Sequence, residues 1–215
     1  MTGDHKDLID RLVTDLHPVS PHAVERRLLG GLGIGLIGAA AIMLLALGPR
    51  HDWVAMVGSV AFQIKLAYAA ALALTGLEAI RRLARPLGRA PSASRVLPVV
   101  FALVCVIAIV SLMSAAPEDR RGLLMGNTAL VCPFLIAMVS APVLATLLAV
   151  MRRLAPTRPI RAGAAAGLLA GATAAFLYAF HCPESGLPFV ALWYTAGILL
   201  SSAIGAAMGP RVLSW

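Results

Sequence analysis

The sequence predicts an all-α fold, an integral membrane bundle of six transmembrane helices that follows a short amphipathic helix. Hydrophobic residues make up 60% of the 215 residues, charged residues make up 13%, and the mean hydropathy is +0.86, which lies outside the range of soluble domains. The arginines stand mainly at the ends of long apolar segments, where they act as membrane anchors. The net charge of +8 therefore indicates membrane anchoring rather than direct binding of nucleic acid.

Each of six apolar segments approaches or exceeds the ~20 residues that a helix needs to cross a bilayer. Their predicted bounds are Leu28–Leu47, Val54–Ile80, Val96–Ala115, Leu123–Val150, Ala162–Phe180 and Leu187–Met208. The second and fourth segments are long enough that they must tilt or project into water. The chain then divides into an N-terminal segment, residues 1–27, a transmembrane domain, residues 28–208, and a tail, residues 209–215.

The distribution of Lys and Arg predicts the orientation in the membrane. Residues 1–27, the connections 81–95 and 151–161, and the tail together carry 14 basic residues. The connections on the other side carry three, Arg50, Arg120 and Arg121. Because the side richer in Lys and Arg faces the cytoplasm, we expect both termini to be cytoplasmic. The turn at 181–186 would then face the periplasm across the inner membrane of a Gram-negative host.

The N-terminal segment predicts a short helix with one apolar face. At ~100° per residue, five aliphatic side chains fall within an arc of roughly 140°, and acidic side chains lie on the other side. The aliphatic residues are Leu8, Ile9, Leu12, Val13 and Leu16, and the acidic residues are Asp7 and Asp10. Nothing within the segment covers this apolar face, so we expect it to bind a protein partner.

Two of the three cysteines, Cys132 and Cys182, each precede a proline. Cys182 shares a short turn with His181 and Glu184. A helix is weakened at a proline, and a thiolate near such a bend is a soft ligand for metals such as Cd(II) or Hg(II), or a target for oxidants. Two interpretations remain open. Cys132, Cys182, His181 and Glu184 form a signal-sensing site that holds a soft metal transiently at the two thiols, or the two cysteines are unrelated. Cys105 lies mid-span and is expected to be a packing residue.

Lys65 lies about eleven residues into the second predicted segment. A lysine at the bilayer centre costs roughly 2.5–3.5 kcal/mol, so its ammonium group should face the bundle interior. Its candidate partners are Asn127, Thr128, Ser111, Ser140 and backbone carbonyls near Pro133 or Pro142. Two interpretations remain open, a conformational latch or ion pathway and a structural lysine satisfied by these groups.

Small residues recur along several spans. The pattern G-x-G-x-x-G at 33–38 indicates dinucleotide binding only where a strand precedes it, and here it lies inside a membrane span. Glycines four residues apart instead predict close helix packing, which could also join two copies into a homodimer. These glycines are Gly31 and Gly35 in the first span, and Gly163, Gly167 and Gly171 in the fifth.

Several strings resemble the six-span anti-sigma factors typified by the negative regulator of sigma F (NrsF). They are YAFHCPESGLPFVALWY at 178–194, APTRPI at 155–160, RLARP at 82–86 and DLIDRLVTDLHPV at 7–19. The resemblance covers essentially the whole chain. Its most specific portion is the His-Cys-Pro-Glu turn with the Trp-Tyr pair that follows.

The resemblance implies a bacterial inner-membrane protein that holds an extracytoplasmic-function sigma factor inactive. It also implies a response to heavy metals or oxidative stress through two cysteines, which map here onto Cys132 and Cys182. The predicted bounds place Cys132 some nine residues into the fourth segment, ~13 Å at 1.5 Å per residue, so its distance from Cys182 depends on helix tilt.

We expect no cofactor and no catalytic activity. The alternative is a membrane thiol oxidoreductase or a small metal transporter. The absence of C-x-x-C and of a run of carboxylates within the spans disfavours both.

Overall fold

A computed structural model describes residues 13–14, 20, 22–85, 88 and 90–214. Of the predicted apolar face of the N-terminal segment, only Val13 lies among these, in a helical conformation and 59% exposed. The other predicted partner-binding residues lie outside the described part of the chain: Asp7, Leu8, Ile9, Asp10, Leu12 and Leu16.

The described residues fold into helices, six of which are long and apolar enough to cross a membrane. The six are α1 (Ala23–Ile42, continued as a π-helical turn over Met43–Leu47), α3 (Val60–Leu83), α4 (Pro91–Ser114), α6 (Cys132–Arg152), α7 (Pro159–Tyr178) and α8 (Leu187–Val212, π-helical over Val190–Tyr194). Two short helices lie in connections, α2 (Trp53–Val57) and α5 (Arg120–Met125). The predicted all-α class and six spans are confirmed.

Proline stands in the first turn of four of the long helices, at Pro91, Pro133, Pro159 and Pro188. There the missing N–H has no intrahelical acceptor to lose and the fixed φ suits the helix. These prolines therefore start helices, and the predicted bend at Cys132-Pro133 is wrong.

Two predicted spans start too early. The second begins at Val60 rather than Val54, because Ser59 is extended and its Oγ caps the helix by accepting a hydrogen bond from the Phe62 amide at 3.3 Å. The fourth begins at Cys132 rather than Leu123, because Gly126, at φ +48°, ends the separate helix α5. As a result, Lys65 and Cys132 lie nearer to the starts of their helices than the predicted bounds placed them.

The core lies around α7, which packs against α3, α6 and α8. In the most apolar stretch of α7, 67% of the residues are buried, against 11% in α4 at the periphery. A Cβ at Gly205 of α8 would overlap the backbone oxygen of Gly163 in α7, so only glycine permits this approach.

The predicted packing through glycines four residues apart is confirmed. Gly31 and Gly35 of α1 face Val143, Thr146 and Val150 of α6 in the same way that the α7 glycines face α8. These glycine faces are thus covered within one chain, and the homodimer remains a prediction.

Candidate functional site at the Cys132–Cys182 pair

The bundle has two chemically distinct ends. We call the end that holds Cys132 and the connection between α7 and α8 the cysteine end, and we call that connection, residues 179–186, the Cys182 turn. The opposite end, which holds Arg26, Arg27 and Arg153, is the arginine end.

Cys132 and Cys182 are in contact. Cys132 is the first residue of α6, Cys182 lies in the middle of the Cys182 turn, and the two side chains are close enough to interact. Both thiols are free, and their residues are 0% and 1% exposed. The expected depth of Cys132 inside the fourth span is wrong, because the helix starts at this residue. Cys105 lies apart, on α4.

Lys65 belongs to the same site. It is five residues into α3 and 2% exposed, and its Nζ donates to the carbonyl oxygens of Cys182 at 3.4 Å and Glu184 at 3.0 Å. The ammonium group also lies 4.7 Å from the centre of the Tyr194 ring, a cation–π contact. Lys65 is therefore satisfied by the backbone of the Cys182 turn, and the polar side chains predicted as its partners do not bind it.

Glu184 and His181 attach the Cys182 turn to two other elements. Glu184 Oε1 accepts hydrogen bonds from the Asn127 amide at 2.8 Å and from Thr128 Oγ1 at 3.4 Å, just before α6. His181 Nδ1 lies 2.7 Å from the Gly48 oxygen at the end of α1. A carbonyl can only accept, so Nδ1 carries the proton and donates.

Arg50 adds a second link from the end of α1. Its backbone amide donates to the Phe180 oxygen at 3.1 Å, and its Nη1 lies 3.5 Å from the Cys182 oxygen. Its Nε and Nη2 pair with the Asp52 carboxylate at 2.5 and 2.7 Å, which raises the pKa of Arg50 and lowers that of Asp52. The Cys182 turn thus contacts α1, α3 and α6 at once.

The surroundings of Cys182 favour its thiolate. The hydrogen bond from Cys132 and the positive charge of Lys65 lower the pKa of Cys182 below its usual value, against the opposing effect of burial. Because a thiolate is the species that attacks oxidants and binds soft metals, Cys182 is the more reactive member of the pair.

Two tyrosines line the site, and sequence reasoning missed both. Tyr178 and Tyr194 are fully buried, with ring centres 6.0 Å apart. The Tyr194 hydroxyl has no nitrogen or oxygen partner among the described residues, and it lies within hydrogen-bonding reach of the Cys182 thiol. In the sequence, Tyr194 stood out only as part of the Trp-Tyr pair that carries the family resemblance. Its position one turn above Val190, on the buried face of α8, was the available signal.

The two sulfur atoms of Cys132 and Cys182 suit either a soft metal ion bound by two ligands or oxidation of the two thiols. Within the described ranges, no group of three or more His, Cys, Asp or Glu side chains converges as a metal site. Two thiolates in contact can bind a thiophilic cation or form a disulfide. The imidazole and carboxylate of the Cys182 turn are held by backbone partners and Thr128, so they position the loop.

Comparison with known proteins decides the family. The family described as "Negative regulator of sigma F", NrsF, matches residues 12–215. The chain belongs to the NrsF family. The resemblance seen in the sequence is thereby confirmed.

Two NrsF proteins are similar over nearly their full length. The chain is 40% identical over 210 residues to the probable anti-sigma-F factor NrsF of Azospira oryzae, and the matched region covers 98% of this chain and 99% of that protein. It is 36% identical over 211 residues to the anti-sigma-F factor NrsF of Caulobacter vibrioides, covering 97% and 98%. No solved structure matches the chain.

Proposed function

We propose that this chain is an inner-membrane anti-sigma factor that sequesters an extracytoplasmic-function sigma factor and releases it when its cysteine pair reacts. Membership of the NrsF family and the names of its relatives support the sigma-factor partner. The observation that carries the release step is the contact between the Cys132 and Cys182 thiols.

The signal changes the chemistry between the two sulfur atoms. Under oxidative stress, a peroxide accepts two electrons and two protons from the thiols, which form one S–S bond and leave water as the product. With a heavy metal, a soft cation such as Cd(II) displaces the two protons and bridges the sulfurs. Either event links two separate thiols through covalent or coordinate bonds and so fixes the distance between the two sulfur atoms.

The arrangement of charge supports the orientation needed for this function. Among the described residues, the cysteine end carries three arginines, Arg50, Arg120 and Arg121, and the arginine end carries eleven: Arg26, Arg27, Arg81, Arg82, Arg85, Arg95, Arg152, Arg153, Arg158, Arg161 and Arg211. This excess supports an orientation with the arginine end in the cytoplasm and the cysteine pair in the periplasm.

Two helices connect the pair with the cytoplasm. Helix α6 starts at Cys132 and runs to Arg152. Helix α1 starts at Ala23, so it includes the last residues of the predicted N-terminal segment, and it leads to Gly48, whose oxygen accepts from His181. Because α1 and α6 pack closely through Gly35, a shift of the Cys182 turn against α6 changes how these two helices meet.

The N-terminal segment binds the sigma factor. Burying each of the five aliphatic side chains of its predicted apolar face contributes roughly 1.5–3 kcal/mol, and ordering a short helix takes back some 2–5 kcal/mol. The acidic residues suit a partner that is basic where it meets DNA or polymerase. The result is a moderate, reversible affinity that suits a switch.

Co-purification of the sigma factor with the full chain tests the proposal. The Leu12→Asp/Leu16→Asp variant places two charges on the apolar face, so we expect it to lose the sigma factor while it still inserts in the membrane. The matched control is Thr14→Asp, which should retain it, because at ~100° per residue Thr14 lies with Asp7 and Asp10 on the other side of the predicted helix. Retention by the double variant would show that this face does not bind the sigma factor.

A further inference from the structure

A groove of about 520 Å³ opens between α1 and α6 at the arginine end. Arg26 and Arg27 line it from α1, and Arg153 lines it from the end of α6. Gly30 contributes no side chain, and a Cβ there would meet nothing within 4 Å, so the space beside it is open, whereas Gly31 packs against Val150 of α6. The groove is far from the Cys182 turn, and the proposed function gives it no role.

The charges of the three arginines are not compensated by any described residue. Within the described part of the chain, the guanidinium groups of Arg26, Arg27 and Arg153 have no ion-pair or hydrogen-bond partner. The nearest acidic residue along α1, Glu25, is already paired with Arg81 at 2.7 Å. Among the residues that the structure describes, no acidic side chain lines the groove. The site is therefore strongly attractive for an anion.

Beyond the arginines, the described part of the groove wall is mainly apolar, and its one polar side chain, Thr146, donates to the backbone of its own helix. Ile34, Ala149 and Val150 line it in the direction of the membrane interior, and Ile34 is 66% exposed. The lining thus combines three cations at the helix ends with aliphatic surface inside the bilayer. A free anion would contact only the arginine side chains, so it would give the aliphatic part of the groove lining no role.

We propose that this groove binds an anionic phospholipid. The phosphate group lies among the three guanidinium groups, which donate paired hydrogen bonds to phosphate oxygens. One acyl chain follows the wall formed by Ile34, Ala149 and Val150. Basic pockets between transmembrane helices on the cytoplasmic side are the expected place for such lipids.

The site has a structural consequence because it spans the α1–α6 interface. A bound lipid cross-links the start of α1 to the end of α6 through its phosphate, so it stabilises the packing of these two helices. Binding should therefore raise the thermal stability of the folded chain in proportion to lipid occupancy.

The test uses the full chain purified in a zwitterionic detergent, with dioleoylphosphatidylglycerol or dioleoylphosphatidylcholine added at equal concentration. Native mass spectrometry counts bound lipids, and thermal unfolding reports stabilisation. We expect retention of phosphatidylglycerol over phosphatidylcholine by about tenfold or more, the discrimination that charge-assisted hydrogen bonds provide. The Arg26→Gln/Arg27→Gln/Arg153→Gln variant should lose this preference.

A second variant tests the groove itself. Gly30→Leu keeps all three arginines but places a side chain in the groove, and a Cβ at this position contacts nothing within 4 Å, so the fold is preserved. It should also lose phosphatidylglycerol. Gly33→Leu is the matched control, since its Cβ also contacts nothing within 4 Å and it does not line the groove. Arg211→Gln controls for charge at the same end.

Four results would overturn the proposal. The first is retention of phosphatidylglycerol by the triple arginine variant, and the second is retention by Gly30→Leu. The third is binding of soluble glycerol phosphate as tightly as the lipid, which would assign the site to an anion without an acyl chain. A higher lipid occupancy after deletion of residues 1–20 would likewise assign the groove to the acidic N-terminal segment.

Discussion

The ammonium group of Lys65 donates a hydrogen bond to the backbone oxygen of Glu184 at 3.0 Å, which ties α3 to the Cys182 turn. A second contact, to the Cys182 oxygen at 3.4 Å, places the same charge beside the reactive thiol. One buried cation therefore both holds the turn and promotes the thiolate. This double role explains why a lysine occupies a position inside an apolar helix despite its desolvation cost.

Replacement of Lys65 by Met should make Cys182 less reactive. Loss of the positive charge raises the pKa of Cys182, so less thiolate is present at pH 7, and alkylation of Cys182 should slow by about tenfold. The midpoint of the rate against pH, followed by mass spectrometry of the Cys182 peptide, should move upward. Lys65→Arg keeps the charge and serves as the control. An unchanged midpoint in Lys65→Met would remove Lys65 from the activation of the thiol.

Glu184→Ala should loosen the attachment of the Cys182 turn to the residues before α6. The Asn127 amide and the Thr128 hydroxyl lose their acceptor, a loss of about 1 kcal/mol in the free energy of unfolding. Glu184→Gln keeps one acceptor oxygen, so its free energy of unfolding should lie between those of Glu184→Ala and the wild type. Thermal unfolding in detergent measures this order. Glu118→Ala, an exposed glutamate in the connection before α5, should have no effect, and equal losses at both positions would contradict the assignment.

The six spans were predictable because hydropathy accumulates over some twenty residues and is insensitive to any one of them. The span starts were not, because Ser59 and Gly126 interrupt helices within sequence that remains apolar. The proline after Cys132 is compatible with a bend or with a helix start, and only the tertiary fold selects the start. These two errors displaced Lys65 and Cys132 toward the membrane centre.

The members of the site were partly predictable. Cys132, Cys182, His181 and Glu184 stood out by residue type and by their place in or near the turn. The partners of Lys65 and His181 are backbone oxygens. Every residue offers such an acceptor, so the sequence carries no signal for which of them is used. The contribution of Tyr194 required knowing which face of α8 is buried.

Gly205→Ala should destabilise the chain where Gly33→Ala does not. The new methyl group at 205 would overlap the backbone of Gly163, so α7 and α8 must separate, at a cost of about 1–3 kcal/mol. At Gly33 nothing lies within 4 Å of a Cβ, and alanine favours the helix by about 0.5–1 kcal/mol. Unfolding in mixed micelles with increasing SDS measures both. A Gly205→Ala variant as stable as wild type would show that the α7–α8 contact is looser than the structure indicates.

Serine at either Cys132 or Cys182 should prevent release of the sigma factor under stress. A disulfide or a two-coordinate metal needs both sulfur atoms, so each single variant should be as unresponsive as the double variant, while Cys105→Ser responds normally. A transcriptional reporter for the sigma factor, induced with peroxide or Cd(II), measures release in all four variants. Trapping of free thiols in the same cells shows whether Cys132 and Cys182 are consumed together. The equality of the single and double variants is the decisive feature, because independent cysteines would give additive, partial losses. A normal response in the double variant would exclude the pair as the sensor and leave the family assignment intact.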